Sequence, residues 1–409
     1  MPKLKIAIVG AGIGGLTAAL SLLRAGVDVD IFERAPELAE LGAGLHLSPN
    51  GSRVLIALGL EDQLERSGTP IKLRRVHVWD SGKHWDLPDQ GNASLLRYGA
   101  PYLLFHRADL QTMLADAVRT LKEDAIHLGN ACVSFEQSEL GVSIKLANGE
   151  TVTADALVGA DGIRSVIRPS LFGASNPKFT GQMRWRAMLP IERVPEALRE
   201  ETSTWIGPSG NVTMYPVRQG KLFNIVASAE RNWPYESWTE KGTIEECLQD
   251  FVGWHPLVQQ VIRNIETPYK WGLFLHETLP RWSENRVTLL GDSCHATFPA
   301  LGQGANMAIE DGLVLGRSVA AFGDDIPSAL RAYENARIAR TTMIVNRSTE
   351  TLKRRHNPDL LDPVKAEKYI GSLYAPDRVH DWYDWIYEYD ATSAPLALST
   401  TRTEERTGS

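Results

Sequence analysis

The amino-acid sequence predicts an α/β protein carrying an inserted α+β region, and three observations predict it. A strand, a glycine loop, a helix and a second strand follow one another within the first 33 residues. From about Gly181 to Trp271 the chain changes to short alternating runs, such as Arg184-Trp-Arg-Ala-Met-Leu and Phe223-Asn-Ile-Val-Ala-Ser, punctuated by Pro190, Pro208, Pro216 and Pro234. That period of two is the pattern of antiparallel strands. From Arg286 a strand runs into Gly291-Asp292, and helical periodicity resumes near Met307. Together these read as a Rossmann-like α/β domain interleaved with an antiparallel-sheet domain and followed by helices.

The opening unit is the most specific. Ile6 to Val9 form an apolar run of the length expected for a buried parallel strand. Gly10, Gly12 and Gly15 then supply the G-x-G-x-x-G spacing. Leu16 to Arg24 read as a helix that stops near Gly26, and Val27 to Phe32 as a strand ending at Glu33. The first glycine allows a tight turn, the second lets the backbone approach a pyrophosphate, and the third lets helix pack on strand. The helix N-terminus offers free N–H groups and the positive end of its dipole to phosphate. Glu33 stands where an acid accepts ribose hydroxyls. A glycine-rich turn with no ligand is the bland alternative. Strand, helix, strand and acid in register favour a dinucleotide site.

Two further motifs follow. Ala154-Asp-Ala-Leu-Val-Gly-Ala-Asp161-Gly162 reads as an apolar strand ending in an Asp-Gly turn, with a basic helix from about Ser165. In Leu289-Leu-Gly291-Asp292 through Gly312, a strand ends in an acid, a loop containing Pro299 crosses open space, and Gly302 and Gly304 open a helix. An acid at a strand end can hold sugar-like hydroxyls. Glycine amides at a helix N-terminus can hold an anion or an electron-rich ring edge. The organisation is discontinuous: 1–70, 96–180 and 272–345 form the dinucleotide-binding domain, and 71–95 with 181–271 form the second domain. Residues 346–392 form a C-terminal helical segment, and 393–409 a polar, disordered tail.

Composition excludes several classes. With 409 residues, 43% hydrophobic and 23% charged, the chain is long enough for two or three domains. A net charge of −7 argues against a nucleic-acid surface. Cys132, Cys247 and Cys294 are few, odd in number and widely spaced, which argues against a disulfide framework or a metal site and fits a reducing cytoplasm. No segment approaches the roughly 18 apolar residues of a membrane span. The N-terminus does not read as a signal peptide, because the glycine loop must be retained.

The three motifs, in this order, resemble the single-component FAD-dependent aromatic hydroxylases, flavoprotein monooxygenases of the para-hydroxybenzoate hydroxylase type. The resemblance covers about residues 4 to 345. It implies that Gly10, Gly12, Gly15, Glu33 and Arg34 bind the ADP half of a non-covalent FAD. It implies that Arg107, in His106-Arg107-Ala-Asp-Leu, contacts the flavin and that Asp161 serves flavin and pyridine nucleotide. Asp292 would hold the ribityl or pyrophosphate region, and Pro299, Gly302, Gly304, Ala305 and Asn306 would line the isoalloxazine. NADH or NADPH would act as a transient co-substrate, and O2 would form a flavin C4a-hydroperoxide that attacks an electron-rich ring. No metal is implied. A small hydroxylated aromatic acid would be the substrate of a cytoplasmic monomer or homodimer.

Within that family the likeness is greatest to salicylate, 3-hydroxybenzoate and 6-hydroxynicotinate monooxygenases, through Gly42-Ala-Gly-Leu-His46-Leu-Ser-Pro-Asn50. It implies catalytic roles for His46 and for Tyr215 of Met214-Tyr215-Pro216. Asn211 stands where some relatives carry a histidine. His46 would then act as a base near its ordinary pKa of about 6.5. Arg186 is a candidate carboxylate clamp, although strand arginines are more often solvated or ion-paired. His295 and Cys294 read as structural. Other chemistries on this fold, such as epoxidation, urate-type hydroxylation or halogenation, remain open, and so does a non-catalytic escort. The W-x-W-x-I-P signature of halogenases is absent.

Overall fold

A computed structural model describes residues 3–396 apart from 39–42, 89–90, 209, 236, 238 and 356. Gly42 and the tail beyond residue 396 lie outside the described residues. The apolar run Lys5–Val9 sits inside a six-stranded sheet. It pairs in parallel with Asp28–Phe32, Ile6 opposite Val29, and with Ala156–Gly159, Ile6 opposite Ala156. Val287–Leu289 and Ile126–His127 extend the two sides in parallel, and Ser283–Glu284 adds an antiparallel edge. Strands covered on both faces must be apolar throughout, and Ile6, Ala7, Ile8, Leu157 and Val158 have no solvent exposure. The chain reverses direction across the sheet between Lys5–Val9 and Ala156–Gly159. In open parallel sheets, the crevice beyond the strand ends at such a switch point is where ligands bind.

Three helices complete this layer: Ile13–Arg24, Arg107–Leu121 and Gly304–Phe322. The first and third approach closely because Gly312 and Gly316 carry no side chain. A Cβ at Gly316 would lie 2.1 Å from Ser21 Oγ. A three-stranded antiparallel sheet, Cys132–Gln137, Val142–Leu146 and Thr151–Ala154, packs on the same core.

The predicted second sheet has seven strands, in the order Tyr269–Leu275, Lys178–Pro190, Leu222–Glu230, Gly210–Val217, Glu201–Gly207, Leu73–Val78 and His84–Asp86. It is antiparallel except where Glu201–Gly207 pairs in parallel with Leu73–Val78. These two strands come from separate stretches of chain, so no tight hairpin dictates their direction. Alternation decides the two faces. Met183, Trp185, Ala187, Val212, Met214, Phe223 and Ile225 join one core with the helices Ile244–Asp250 and Pro256–Arg263. Arg184, Arg186, Thr213, Tyr215 and Val226 face the other way.

One predicted boundary is not a break in the chain's structure. The helix Ile326–Arg355 runs unbroken through residue 345, because no glycine or proline interrupts Thr341 to Glu350. Helices Pro363–Leu373 and Pro376–Tyr387 then pack Ile370, Tyr383, Ile386 and Tyr387 against Val76, Val78, Tyr102 and Ile206. No helix among the described residues is long and apolar enough to cross a membrane.

Candidate active site

A cavity of about 500 Å³ runs from the glycine loop to the inner face of the seven-stranded sheet. Its first end shows why each of three glycines is there. Gly10 has φ of 108°, and a Cβ on it would lie 2.3 Å from the Ala160 carbonyl oxygen. A Cβ on Gly15 would lie 2.0 Å from the Gly10 carbonyl oxygen. Gly12 has ordinary extended backbone, φ −71° and ψ 176°, and a Cβ there meets nothing within 4 Å among the described residues. Gly10 and Gly15 are therefore required by the protein's own packing. At Gly12 only an occupant of the cavity would need the space. Gly12 caps the helix Ile13–Arg24, so that occupant would meet the helix N-terminus.

Glu33 accepts hydrogen bonds from Ala11 N at 2.8 Å through Oε2 and from Ala35 N at 2.9 Å through Oε1. It thus braces the glycine loop, and each carboxylate oxygen keeps a second lone pair for a ribose hydroxyl. Arg34 lines the same end.

The middle of the cavity is built from strand ends. Asp161 Oδ2 accepts from Val166 N and Ile167 N, tying the turn to the helix Ile167–Phe172. Its Oδ1 is buried with no hydrogen-bond partner among the described residues, and burial raises its pKa. A buried acceptor without a donor suits a ligand that brings a hydroxyl or amide. Asp292 follows Gly291 (φ 70°) and is exposed to the cavity. Arg107 also lines the cavity and is exposed to it. Desolvation within the cavity lowers its pKa, and the charge of Asp292 opposes that shift. Pro299, Gly302, Gly304 and Ala305 form the neighbouring wall, with Gly302 left-handed at φ 66°.

These features fit an FAD: open space at Gly12, an orphan acceptor on Asp161, and polar groups strung between a helix N-terminus and a loop of glycines. Asn306 is the exception. The motif places it on the ring wall, yet it does not line the cavity and has no solvent exposure. Its Oδ1 accepts from Ser48 N at 3.1 Å, and its Nδ2 donates to the carbonyls of His46 and Gly302 at 2.9 and 2.8 Å. Three backbone partners engage both donors of the amide and its oxygen, so Asn306 clamps the walls together.

At the inner end, His46 and Tyr215 come together from remote segments. His46 lies on the strand Gly44–Leu47, and its ring meets that of Tyr215 edge-on, with centroids 4.5 Å apart. Gly44 permits this. A Cβ there would sit 2.6 Å from the Tyr215 ring. His46 Nδ1 is 3.1 Å from the hydroxyl of Tyr102. The expected pKa near 6.5 is not what this environment produces. Burial, then the charges of Arg74 and Arg355, lower His46 to about 3. Tyr215 is pushed upward by burial, so it keeps its proton. His46 is therefore a neutral hydrogen-bonding group at working pH.

Sequence reasoning missed most of the cationic wall. Arg184 and Arg186, on one face of the strand Lys178–Pro190, and Arg355, at the end of the long helix, all line the cavity. Arg184 could have been found by stepping two residues from Arg186. Nothing in the local sequence marks Arg355. Arg186 lies 5.4 Å over the ring of Trp271. Burial, with the nearby Arg107 adding to it, lowers its pKa to about 10. His295 does not line the cavity; it is buried, with Nε2 2.6 Å from Asp311 Oδ2.

Fold and cavity together define a flavin-dependent oxygenase, and comparison with known proteins agrees. The chain belongs to the FAD binding domain family, which matches residues 3–348. It is 36% identical over 389 residues to the 3-amino-4-hydroxybenzoate 2-monooxygenase of Streptomyces platensis, covering 95% of this chain and 96% of the relative. It is 32% identical over 388 residues to the 3-hydroxybenzoate 6-hydroxylase of Polaromonas naphthalenivorans, with 95% and 96% covered. Klebsiella pneumoniae HpxO, solved in complex with FAD and uric acid, superposes with a TM-score of 0.81 at 27% identity, covering 96% of this chain and 98% of that one. The chain is an FAD-dependent monooxygenase of the aromatic hydroxylase class.

Proposed function

We propose that this enzyme hydroxylates a small hydroxylated aromatic acid of the hydroxybenzoate or hydroxynicotinate class, with NAD(P)H and O2 as co-substrates. The observation that carries this reading is the inner end of the cavity, where neutral hydrogen-bonding groups stand beside several arginines and the sheet supplies no lining acid. The balance is one ring C–H, one O2, one NAD(P)H and one proton giving a ring C–OH, NAD(P)+ and water. Bound FAD, once reduced, would supply the activated oxygen. Gly12, Glu33, Asp161 and Asp292 would hold it, with Arg107 and the Pro299–Ala305 wall beside the ring.

The chain's own groups prepare the substrate. Tyr215 keeps its proton and donates to a ring hydroxyl oxygen. When His46 Nδ1–H donates to Tyr102, Nε2 is left as an acceptor for the phenolic proton. A histidine with a pKa of about 3 is a weak base by itself. Burial, then the charges of Arg74 and Arg355, keep His46 neutral, and those two charges also favour a phenolate and so lower the phenol's own pKa. The arginines thereby take over part of the work expected of a histidine base. Burial of Arg184 and Tyr215 supports a site that holds bulk water off the ring. Buried, unpaired cysteines at 132, 247 and 294 support a cytoplasmic setting.

The test is a substrate panel on the purified yellow protein: 3-hydroxybenzoate, 3-amino-4-hydroxybenzoate, salicylate and 6-hydroxynicotinate, with uric acid as contrast. At least one aromatic acid should accelerate NADH or NADPH oxidation and yield hydroxylated product. Acceleration by uric acid alone, or by none of the five, would overturn the reading.

A further inference from the structure

Two guanidinium groups at the inner end of the cavity have no counter-charge among the described residues. Arg184 is 5% exposed and Arg355 is 9% exposed. Among the described residues neither takes part in an ion pair, and the Nε of each is buried with no hydrogen-bond partner. They are close enough to repel: Arg355 adds to burial in lowering Arg184 to about 9. The cavity's lining acids are elsewhere. Glu33, Asp161 and Asp292 follow the ends of the parallel strands, whereas the sheet wall contributes Arg184, Arg186, Asn211, Thr213, Tyr215, Val226 and Trp271. Two buried like charges with open donors are costly unless an anion lies between them.

Arg355 has a second position of interest. It also borders a smaller cavity of about 60 Å³, whose walls include His46, Arg74, Tyr102 and Tyr383. The two spaces share His46, Thr213, Pro299, Ala300, Gly302 and Arg355. An anion held by Arg355 would thus lie beside His46 and next to the wall formed by Pro299 and Gly302.

We propose that Arg184 and Arg355 together form the binding site for the carboxylate of the aromatic substrate, one from the sheet and one from the end of the long helix. The proposal rests on the hydroxylase reading for the identity of the ligand, but the anion site itself is testable without turnover. The carboxylate takes the place of the missing counter-charge and fixes which ring edge faces the Pro299–Ala305 wall. Arg186 takes a different part, held over Trp271 near Arg107.

Benzoate and benzamide serve as probes, because they share a ring and differ in charge. Each is titrated into the oxidised holoenzyme and followed by the change in flavin absorbance. The parent should bind benzoate more tightly than benzamide. Arg184→Gln and Arg355→Gln should each weaken benzoate by about tenfold to a hundredfold, the range for one charged hydrogen bond. Benzamide affinity and FAD content should stay within about threefold. Arg355→Lys, which keeps the charge without the planar fork, should recover part of the benzoate affinity. Unchanged benzoate binding in both Gln variants overturns the proposal. So does an equal loss for acid and amide, which marks a merely structural role, or a parent that prefers the amide. If the parent shows the predicted selectivity yet hydroxylates no aromatic acid in the panel, the anion site stands and the hydroxylase reading fails.

Discussion

Replacing Gly12 by alanine should separate cofactor binding from folding, and the structure sets the size of each effect. The backbone at Gly12 is φ −71° and ψ 176°, which alanine adopts without strain. Its new methyl meets no atom of the described residues within 4 Å. Losing glycine's freedom in the unfolded chain stabilises by about 0.4–1 kcal/mol. Alanine is a poorer N-cap than glycine by a similar amount. The unfolding free energy of flavin-free protein should therefore stay within about 1 kcal/mol of the parent. The methyl does occupy the space where a pyrophosphate would meet the helix N-terminus. Forfeiting one charge-assisted bond costs about 1.5–3 kcal/mol, roughly a tenfold to hundredfold loss of FAD affinity. Gly15→Ala is the control. Its methyl would lie 2.0 Å from the Gly10 carbonyl oxygen, so it must move backbone and destabilise the flavin-free protein. Urea unfolding of the flavin-free forms and a flavin-fluorescence titration read the two quantities. Parental FAD affinity in Gly12→Ala would refute the assignment of that open space to the cofactor.

Asp292→Ala should weaken FAD by about tenfold to a hundredfold while leaving flavin-free stability near the parent's, because Asp292 is exposed to the cavity; unchanged affinity in the same titration shows the motif misread. His46 gives a pH-dependent prediction. Its folded pKa of about 3 lies below the ordinary 6.5, so the unfolded chain binds more protons between those values and stability falls as pH drops through that window. The slope contributed is at most about 1.4 kcal/mol per pH unit, and His46→Asn should remove it from unfolding curves measured between pH 6.5 and 5. The same variant should lower the ratio of hydroxylated product to NADH consumed, with more hydrogen peroxide released. Parental coupling would reduce His46 to a loop residue.

Much of the cofactor end was legible in the sequence, because its determinants are local. The turn at Gly10, the helix that starts after Gly12 and the acid closing the next strand are set by neighbouring residues and by hydrogen bonds within one β-α-β unit. The same holds for the Asp161 turn and the Gly291-Asp292 strand end. Alternation from Arg184 and from Phe223 likewise marked the second sheet, whereas Tyr215 was singled out only by the family resemblance. The second sheet's parallel pair and the helix running unbroken through residue 345 did not follow, since strand pairing between remote segments and helix length are settled by packing.

The inner end was decided only by tertiary structure. His46, Tyr102, Tyr215, Arg184 and Arg355 come from five segments and meet only when sheet, helix and motif loop are assembled. Asn306 belongs to a legible motif, yet its role changed from lining to clamping because its partners, Ser48 and His46, lie far away in the chain. The pKa of His46 is the clearest case. Residue type alone predicts a base near neutral pH, and desolvation plus two distant arginines remove it. Local sequence can specify a turn or the side of a strand that a residue occupies. Desolvation and electrostatic field are sums over everything nearby in space, and they exist only once the chain has folded.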